Sequence, residues 1–426
     1  MGFPIRNVAL SRREFAKLAT ISLAAAPASG LLRSLAAAEV AGNERIKSCI
    51  LLFMSGGPSH IDTFDPKPNN RSSQFKSIAT KLPGVHFAEH LPRLAGMADQ
   101  LAVLRGMSTV EADHGRARYF MHTGYRQGTG GGLIHPSLGA IVSSQLGQQT
   151  DILPNFVSID PQNTGRANGA GYAGPMHAPL EMTDPNRGVE NLAPRDDLHG
   201  FARRERLFNA MEQEFTARLR SESAAGHQAM YQRAAALMRS PGVKAFDLAG
   251  ESAAMRAAYG GSAFGDGCLL ARRLVEAGVK FVEVVLDGWD THQDNSTKVK
   301  ELSEQVDPAM SALIRDLQDR GRLDSTLVIW MGEFGRSPRI EGVDGRGHYA
   351  KAWTSVLAGG GLKTGQVIGR TDDEGGTVTD RPISTVDFMA TVCKTLEIDY
   401  TKHFTTNENR PVRIVDKNET IVSELF

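Results

Sequence analysis

Residues 46–54 read Ile-Lys-Ser-Cys-Ile-Leu-Leu-Phe-Met and run straight into Ser55-Gly56-Gly57-Pro58-Ser59-His60-Ile61-Asp62-Thr63-Phe64-Asp65-Pro66-Lys67. The run is apolar without alternation. That is the pattern of a strand covered on both faces, and hence of a parallel sheet packed between helices. The Gly56-Gly57 pair that follows lets the backbone turn tightly and approach a ligand closely.

Outward from this strand, strands and helices alternate. A weaker strand is predicted over 100–107, helices over 114–123 and 136–146, and a strand over 155–159. Residues 160–195 are rich in Gly, Pro and Asn, lack periodicity and read as a long loop. A strongly charged helical pattern begins at 198, an insertion of about 198–260. A helix at 266–277, strand at 280–286, helix at 297–320, strands at 325–331 and 353–358, and helix at 384–396 complete the chain. Such alternation implies right-handed βαβ units in one α/β domain over 39–426.

The 426 residues include 48 Lys+Arg and 48 Asp+Glu, a balance that excludes the basic surplus of a nucleic-acid binder. The balance is not uniform along the chain. Residues 1–38 hold Arg6, Arg12, Arg13, Lys17 and Arg33 against Glu14, and without them 43 basic and 47 acidic residues remain. Ser11-Arg12-Arg13-Glu14-Phe15-Ala16-Lys17 resembles a twin-arginine export signal, followed by an apolar stretch from Leu18 to Ala28 and an A-x-A site at Ala36-Ala37-Ala38. The reading is a signal peptide over 1–38, the twin-arginine translocase as partner, and a periplasmic or otherwise exported destination. The apolar stretch is shorter than the ~20 residues a membrane span needs. Cys49, Cys268 and Cys393 are odd in number and have no CxxC spacing, so they are expected as buried free thiols.

Three predicted strands end in loops of one chemistry. The first leads to the segment that contains Asp62, the second to Asp287-Gly288-Trp289-Asp290-Thr291-His292, and the third to Gly332-Glu333-Phe334-Gly335-Arg336. Carboxyl ends of parallel strands share one edge, where ligands bind. One such loop alone is readable as a turn with a solvated acid; three together form a ligand set. Asp, Glu and His would suit zinc, magnesium, manganese or calcium. Gly56 and Gly57 offer amides to an anion, and Ser59, His60 and Arg336 join them as anion-binding candidates. The Gly56-Gly57 turn forms no GxGxxG or P-loop pattern, so a nucleotide site is not indicated there.

Two further segments carry candidates. In Asp113-His114-Gly115-Arg116-Ala117-Arg118, His114 opens a helix whose amides and dipole favour an anion, and Arg118 lies one turn on. The same pattern also fits a surface helix with snorkelling arginines. In Gly345-Arg346-Gly347-His348-Tyr349, His348 reads either as a ligand or acid, or as a polar loop residue.

With its leader, SGGPSHIDTFDPKP, DHGRARYFMHTGY, DGWDTH, GEFGRSP and GRGHY in that order, the chain resembles an exported bacterial family of unknown function. That family is numbered fifteen-oh-one and grouped with sulfatase-like proteins in the alkaline phosphatase superfamily. The resemblance covers nearly the whole mature chain. It implies an alkaline-phosphatase-like three-layer α/β/α sandwich with a mostly parallel sheet, metals at the strand ends, and hydrolysis of phosphate or sulfate esters.

Residue by residue, the resemblance also shows departures. Laying Arg118, Thr123 and Gly124 on the sulfatase pattern C-x-P-S-R-x-x-x-x-T-G puts His114 where the nucleophilic Cys or Ser belongs. The superfamily's Asp-His-Gly metal motif aligns with Glu333-Phe334-Gly335, which keeps the carboxylate and loses the histidine. The Asp expected after the first strand falls at Ser55 or Gly56, with Asp62 the nearest substitute. Asp287, Asp290 and His292 are similar to the second-metal group, and His348 to the late histidine.

Two functions follow. One is a metal-dependent hydrolase of a small-molecule or polysaccharide phosphate or sulfate ester in the cell envelope. In it a metal activates water, or His114 attacks and forms a phosphohistidine-like intermediate, while Arg118 steadies the transferring group. The other is a non-catalytic anion- or saccharide-binding protein on a degenerate sulfatase-like fold.

Overall fold

Strand β1 (Ser48–Met54) is buried at every position, and its side chains alternate between two cores. Ile50, Leu52 and Met54 enter one core, Cys49, Leu51 and Phe53 the other. An apolar run without alternation therefore has no polar face because both faces are covered. Each such side chain contributes roughly 1.5–3 kcal/mol relative to exposure.

The computed structural model describes residues 48–129, 131–148, 151–161, 165–192, 198–219, 222–406 and 408–426. All of them fall within one compact unit, Ile46–Phe426. The export leader read over 1–38 lies outside the described residues. Among the described residues no helix is long and apolar enough to cross a membrane.

In chain order the main elements are β1, β2 (Ala102–Met107), α1 (His114–Thr123), α2 (Leu138–Leu146), β3 (Phe156–Ile159) and β4 (Leu180–Met182). They continue with α3 (Leu198–Leu219), α4 (Glu222–Arg239), α5 (Ala263–Glu276), β5 (Phe281–Leu286) and α6 (Asn295–Asp319). The last are β6 (Thr326–Met331), β7 (Trp353–Gly359), β8 (Gln366–Ile368) and α7 (Thr385–Thr395). The eight strands form one sheet in the order β8-β2-β7-β6-β1-β5-β3-β4. Every pair is parallel except those of β7, which runs antiparallel to β2 and β6. Helices α5 and α6 cover one face, with Leu269, Leu270, Met310 and Leu313 in its core. Helices α1, α2 and α7 cover the other, with Met121, Ile141 and Phe388 in its core. The expected three-layer α/β/α sandwich with a mostly parallel sheet is present.

One detail differs from the sequence reading. The segment 160–195 is not all loop, because Leu180–Met182 pairs parallel with β3. Three residues are too few to show alternation, and the neighbouring strand supplies the missing backbone partners. Within the charged helical insertion the described helices are α3 and α4. Cys49, Cys268 and Cys393 are free and buried, as expected.

Candidate functional site

Strands β1, β5 and β6 are neighbours, so the loops that follow them meet at one edge of the sheet. Two glycines permit the meeting. Gly56 has φ +112, and a Cβ there would lie 2.3 Å from the Asp290 amide nitrogen. Gly57 has φ +81, and its Cβ would lie 2.8 Å from the Phe334 carbonyl oxygen. Both use glycine's freedom at positive φ to bring three loops together. They are not an anion cradle, because the Gly56 amide donates to Glu333 at 3.0 Å (Oε1) and 3.2 Å (Oε2).

Helix α1 delivers His114 to the same edge. Asp113 caps the helix by accepting from the Arg116 amide at 3.1 Å, and Gly124 closes it with φ +73. His348 arrives from the loop before β7, where His348–Tyr349 pairs antiparallel with Gly335–Arg336. Because β7 runs against its neighbours, its leading loop sits at the edge where the parallel strands end.

The centre of the cluster is one atom, Asp290 Oδ1. It lies 2.5 Å from Arg336 Nη2, 3.2 Å from His114 Nε2, 3.3 Å from His292 Nε2 and 3.6 Å from His348 Nε2. Glu333 Oε1 accepts from His114 Nδ1 at 2.7 Å, and the Ala112 carbonyl accepts from His348 Nδ1 at 2.7 Å. Each of these imidazoles thus has Nδ1 fixed by an acceptor; His114 Nε2 is turned toward Asp290, whereas His348 Nε2 lies 3.0 Å from His292 Nε2 with Asp290 Oδ1 3.6 Å away. The ring of Phe334 packs 4.8 Å from that of His114 and 4.9 Å from that of His348, restricting both. Asp290 and His292 are about half exposed and His114 and His348 about a quarter, whereas Glu333 and Arg336 are fully buried.

Charge follows this layout. Burial works against the His114 cation, yet the hydrogen bond and charge of Glu333, with Asp290, raise its pKa overall. Burial lowers the pKa of His348, reinforced by nearby His114 and Arg336. Burial would raise the Asp290 pKa, but the Arg336 guanidinium holds it below the ordinary carboxylate value.

Donor atoms of His114, Asp290 and His348 lie within 4.8 Å of one another, the only such His/Cys/Asp/Glu group among the described residues. Two imidazole nitrogens and one carboxylate oxygen match the three-ligand, open-position arrangement of catalytic zinc. Magnesium and calcium favour all-oxygen shells. The fixed Nδ1 atoms match the outer-shell contacts that orient metal-ligating histidines. These residues fit a zinc-type ion.

Several candidates lie elsewhere. Asp62 is fully buried against Arg346, accepting from Nε at 2.6 Å and Nη2 at 3.1 Å, and also from Asn295 Nδ2 at 3.0 Å. It is the acid of an internal ion pair, outside the metal-type group. Asp287 accepts from the Ser55 hydroxyl at 2.7 Å and also stands outside that group. His60 is buried with Nε2 2.7 Å from the Gly375 carbonyl, and Ser59 is buried beside it, so neither faces an external anion. Arg336 spends its guanidinium on the carbonyls of Gly56, Gly57 and Arg346 and on Asp290. Arg118 is nearly buried, donating to Ser55 Oγ at 3.0 Å with Glu333 Oε1 3.5 Å away. It balances Glu333 from beneath rather than facing outward. Arg346 was legible only as part of the GRGHY motif; a buried ion pair across 284 residues leaves no local signal.

The chain is similar to several solved structures. One is the PsFucS1 sulfatase from Pseudoalteromonas sp. (13% identity, 86% of this chain and 71% of that chain covered, TM-score 0.43). Another is the C-terminal periplasmic domain of EcEptC from Escherichia coli, solved in complex with Zn (10%, 90% and 96%, TM-score 0.38). A third is the alkaline phosphatase of the Antarctic bacterium TAB5 (10%, 83% and 99%, TM-score 0.36). No curated protein matches the sequence significantly. The model of one family, described as "Protein of unknown function (DUF1501)", matches residues 46–426, and the chain belongs to that family.

Proposed function

We propose that the protein is a metal-dependent hydrolase of phosphate or sulfate esters, with His114, Asp290 and His348 holding one zinc-type ion. The observation that carries this reading is the pair of imidazoles with Nδ1 fixed by an acceptor and Nε2 within 3.6 Å of the Asp290 carboxylate, so that the three donor atoms lie within 4.8 Å of one another. An ion held there supplies Lewis acidity to an ester oxygen and to an attacking water. Glu333 keeps the His114 proton on Nδ1 and leaves Nε2 its lone pair. His114 acts as a ligand in this scheme rather than as a nucleophile, with Asp290 at 3.2 Å from Nε2 as its co-ligand. Half-exposed His292 has Nε2 3.0 Å from His348 Nε2 and 3.3 Å from Asp290, and in this scheme it is the proton donor beside the metal-type group.

The test is metal content of the purified mature protein together with hydrolysis of aryl phosphate and aryl sulfate, with and without added zinc, manganese, magnesium or calcium. Metal-free protein inactive on both esters with every ion would refute the reading. Glu333→Gln should weaken metal binding about 10–100-fold, as loss of an outer-shell partner does. Isothermal titration with zinc measures it, and an unchanged affinity would remove Glu333 from the ligand support.

Export is part of the same proposal. Arg12→Lys combined with Arg13→Lys should leave the precursor in the cytoplasm, because the leader resembles a twin-arginine signal. Fractionation with an immunoblot reads the outcome, and an unaltered periplasmic pool would exclude that route.

A further inference from the structure

The first motif ends in Asp65-Pro66-Lys67-Pro68, which takes no part in the metal-type group. With Arg105 of β2, Ser77 and His86 it lines a separate cavity of 220 Å³. Arg105 lies between the pairs Leu104–Ser355 and Met107–Trp353, beside the start of β7. The loop that carries His348 leads into that same end of β7, so the cavity belongs to the ligand-bearing edge of the sheet.

Both cations are held in place by the protein itself. Arg105 donates from Nε and Nη2 to the Phe64 carbonyl at 3.0 and 2.6 Å, and from Nη2 to the His86 carbonyl at 2.9 Å. Lys67 stands between two prolines, and Pro68 biases its backbone toward extended conformations. Asp65 Oδ1 lies 3.1 Å from Lys67 Nζ and 3.3 Å from Arg105 Nε, while Oδ2 accepts from Thr371 Oγ1 at 2.5 Å.

Exposure decides which charge a ligand meets. The Asp65 side chain is 1% exposed, against 13% for Lys67 and 17% for Arg105. Lys67 Nζ has N–H groups beyond the one turned to Asp65, and Arg105 Nη1 meets no acceptor. Neither nitrogen is shut from solvent. Asp65 is the one acid among the lining residues, so it cancels one of the two positive charges and leaves the other. The acids of the 372–374 turn do not line the cavity, and Asp372 Oδ1 is occupied by the amides of Glu374 and Gly376. The surplus charge repels a cation and is unmatched by a neutral ligand. With open N–H groups on two cations and the Ser77 hydroxyl, it suits an anion with several acceptor oxygens.

We propose that this cavity binds a phosphate or sulfate group, as a free ion or as part of an ester, without a metal. The site goes beyond the hydrolase reading and does not depend on it. Isothermal titration of the metal-free full mature chain with inorganic phosphate, inorganic sulfate and phenyl phosphate tests it at fixed ionic strength, with choline as a cationic control. At least one of the three anions should bind, about tenfold more weakly in both Lys67→Gln and Arg105→Gln, and unchanged in His114→Ala. Lys67→Gln leaves Asp65 its contacts with Arg105 and Thr371, so it keeps the test open if Arg105→Gln fails to fold. No binding of any of the three anions overturns the proposal, as does binding unchanged in folded Lys67→Gln. Anion binding lost in His114→Ala alone would place it at the metal-type cluster and also overturn the site. Choline bound in place of the anions overturns the anionic class. Phenyl phosphate bound at least as tightly as the inorganic ions supports a site for an ester group, and the reverse order supports one for the free ion. Anion binding in a chain that hydrolyses no ester with any metal would refute the hydrolase reading alone.

Discussion

On the proposed metal site, Asp290→Asn and His348→Ala should each weaken zinc binding by more than the roughly 10–100-fold of an outer-shell loss. The reason lies in the crowding around one oxygen. Asp290 Oδ1 has four nitrogens within 3.6 Å, from Arg336, His114, His292 and His348. Asp290→Asn leaves those groups their shape and removes the negative charge that lets a further cation join them. His348→Ala removes one of three donors while its loop stays paired to Gly335–Arg336 through the backbone. Asp287→Asn is the control, since Asp287 lies outside the group and its replacement should leave metal content unchanged. Elemental analysis after dialysis reads all three, and full occupancy in both Asp290→Asn and His348→Ala would show that the cluster holds no ion. The wild-type affinity should also depend on pH. Glu333 and Asp290 raise the His114 pKa above that of an ordinary histidine, against the effect of burial. Protons therefore begin to compete for Nε2 at a higher pH than usual, and zinc affinity should fall as pH drops through that range.

Asp62→Asn should destabilise the fold by about 3–5 kcal/mol, the usual cost of breaking a buried ion pair from one side. Arg346 is fully buried and donates to Asp62, to Ser337 O at 3.0 Å and to Ser72 O at 2.7 Å. Its backbone amide donates to Thr291 O at 2.9 Å, so this one residue ties the His348 loop to the loop of Asp290 and His292. Removing the Asp62 charge leaves a guanidinium without its counter-ion in the interior. Replacing both partners, Asp62→Leu with Arg346→Met, should restore much of the lost stability, because two apolar groups leave no orphaned charge. Chemical unfolding of the three proteins provides the measurement. The folded fraction of Asp62→Asn should still bind metal. Metal lost at unchanged stability would instead make Asp62 a ligand, as the position after the first strand implied.

Much of this protein was legible along the chain. The unalternating run of β1 announced a sheet covered on both faces. The three loops at the ends of β1, β5 and β6 had to share an edge once the strands were parallel. Asp290, His292 and Glu333 were named from that logic, His114 from its place at a helix start and His348 from its Gly-rich loop, and the five stand together. Local spacing located the loops because strand and helix periods are properties of short windows.

Roles within the loops were not legible in the same way. Which acid meets a histidine and which meets an arginine depends on partners 219 and 284 residues apart, for His114 with Glu333 and Arg346 with Asp62. The sequence by itself determined the layers, the edge and the inventory of chemical groups. Only the tertiary structure assigned Asp62 to an internal ion pair, turned Arg118 and Arg336 inward, and left His114, Asp290 and His348 with donor atoms facing one another. The physical reason is that hydrogen bonds and ion pairs act over about 3 Å in space, and sequence spacing does not report that distance.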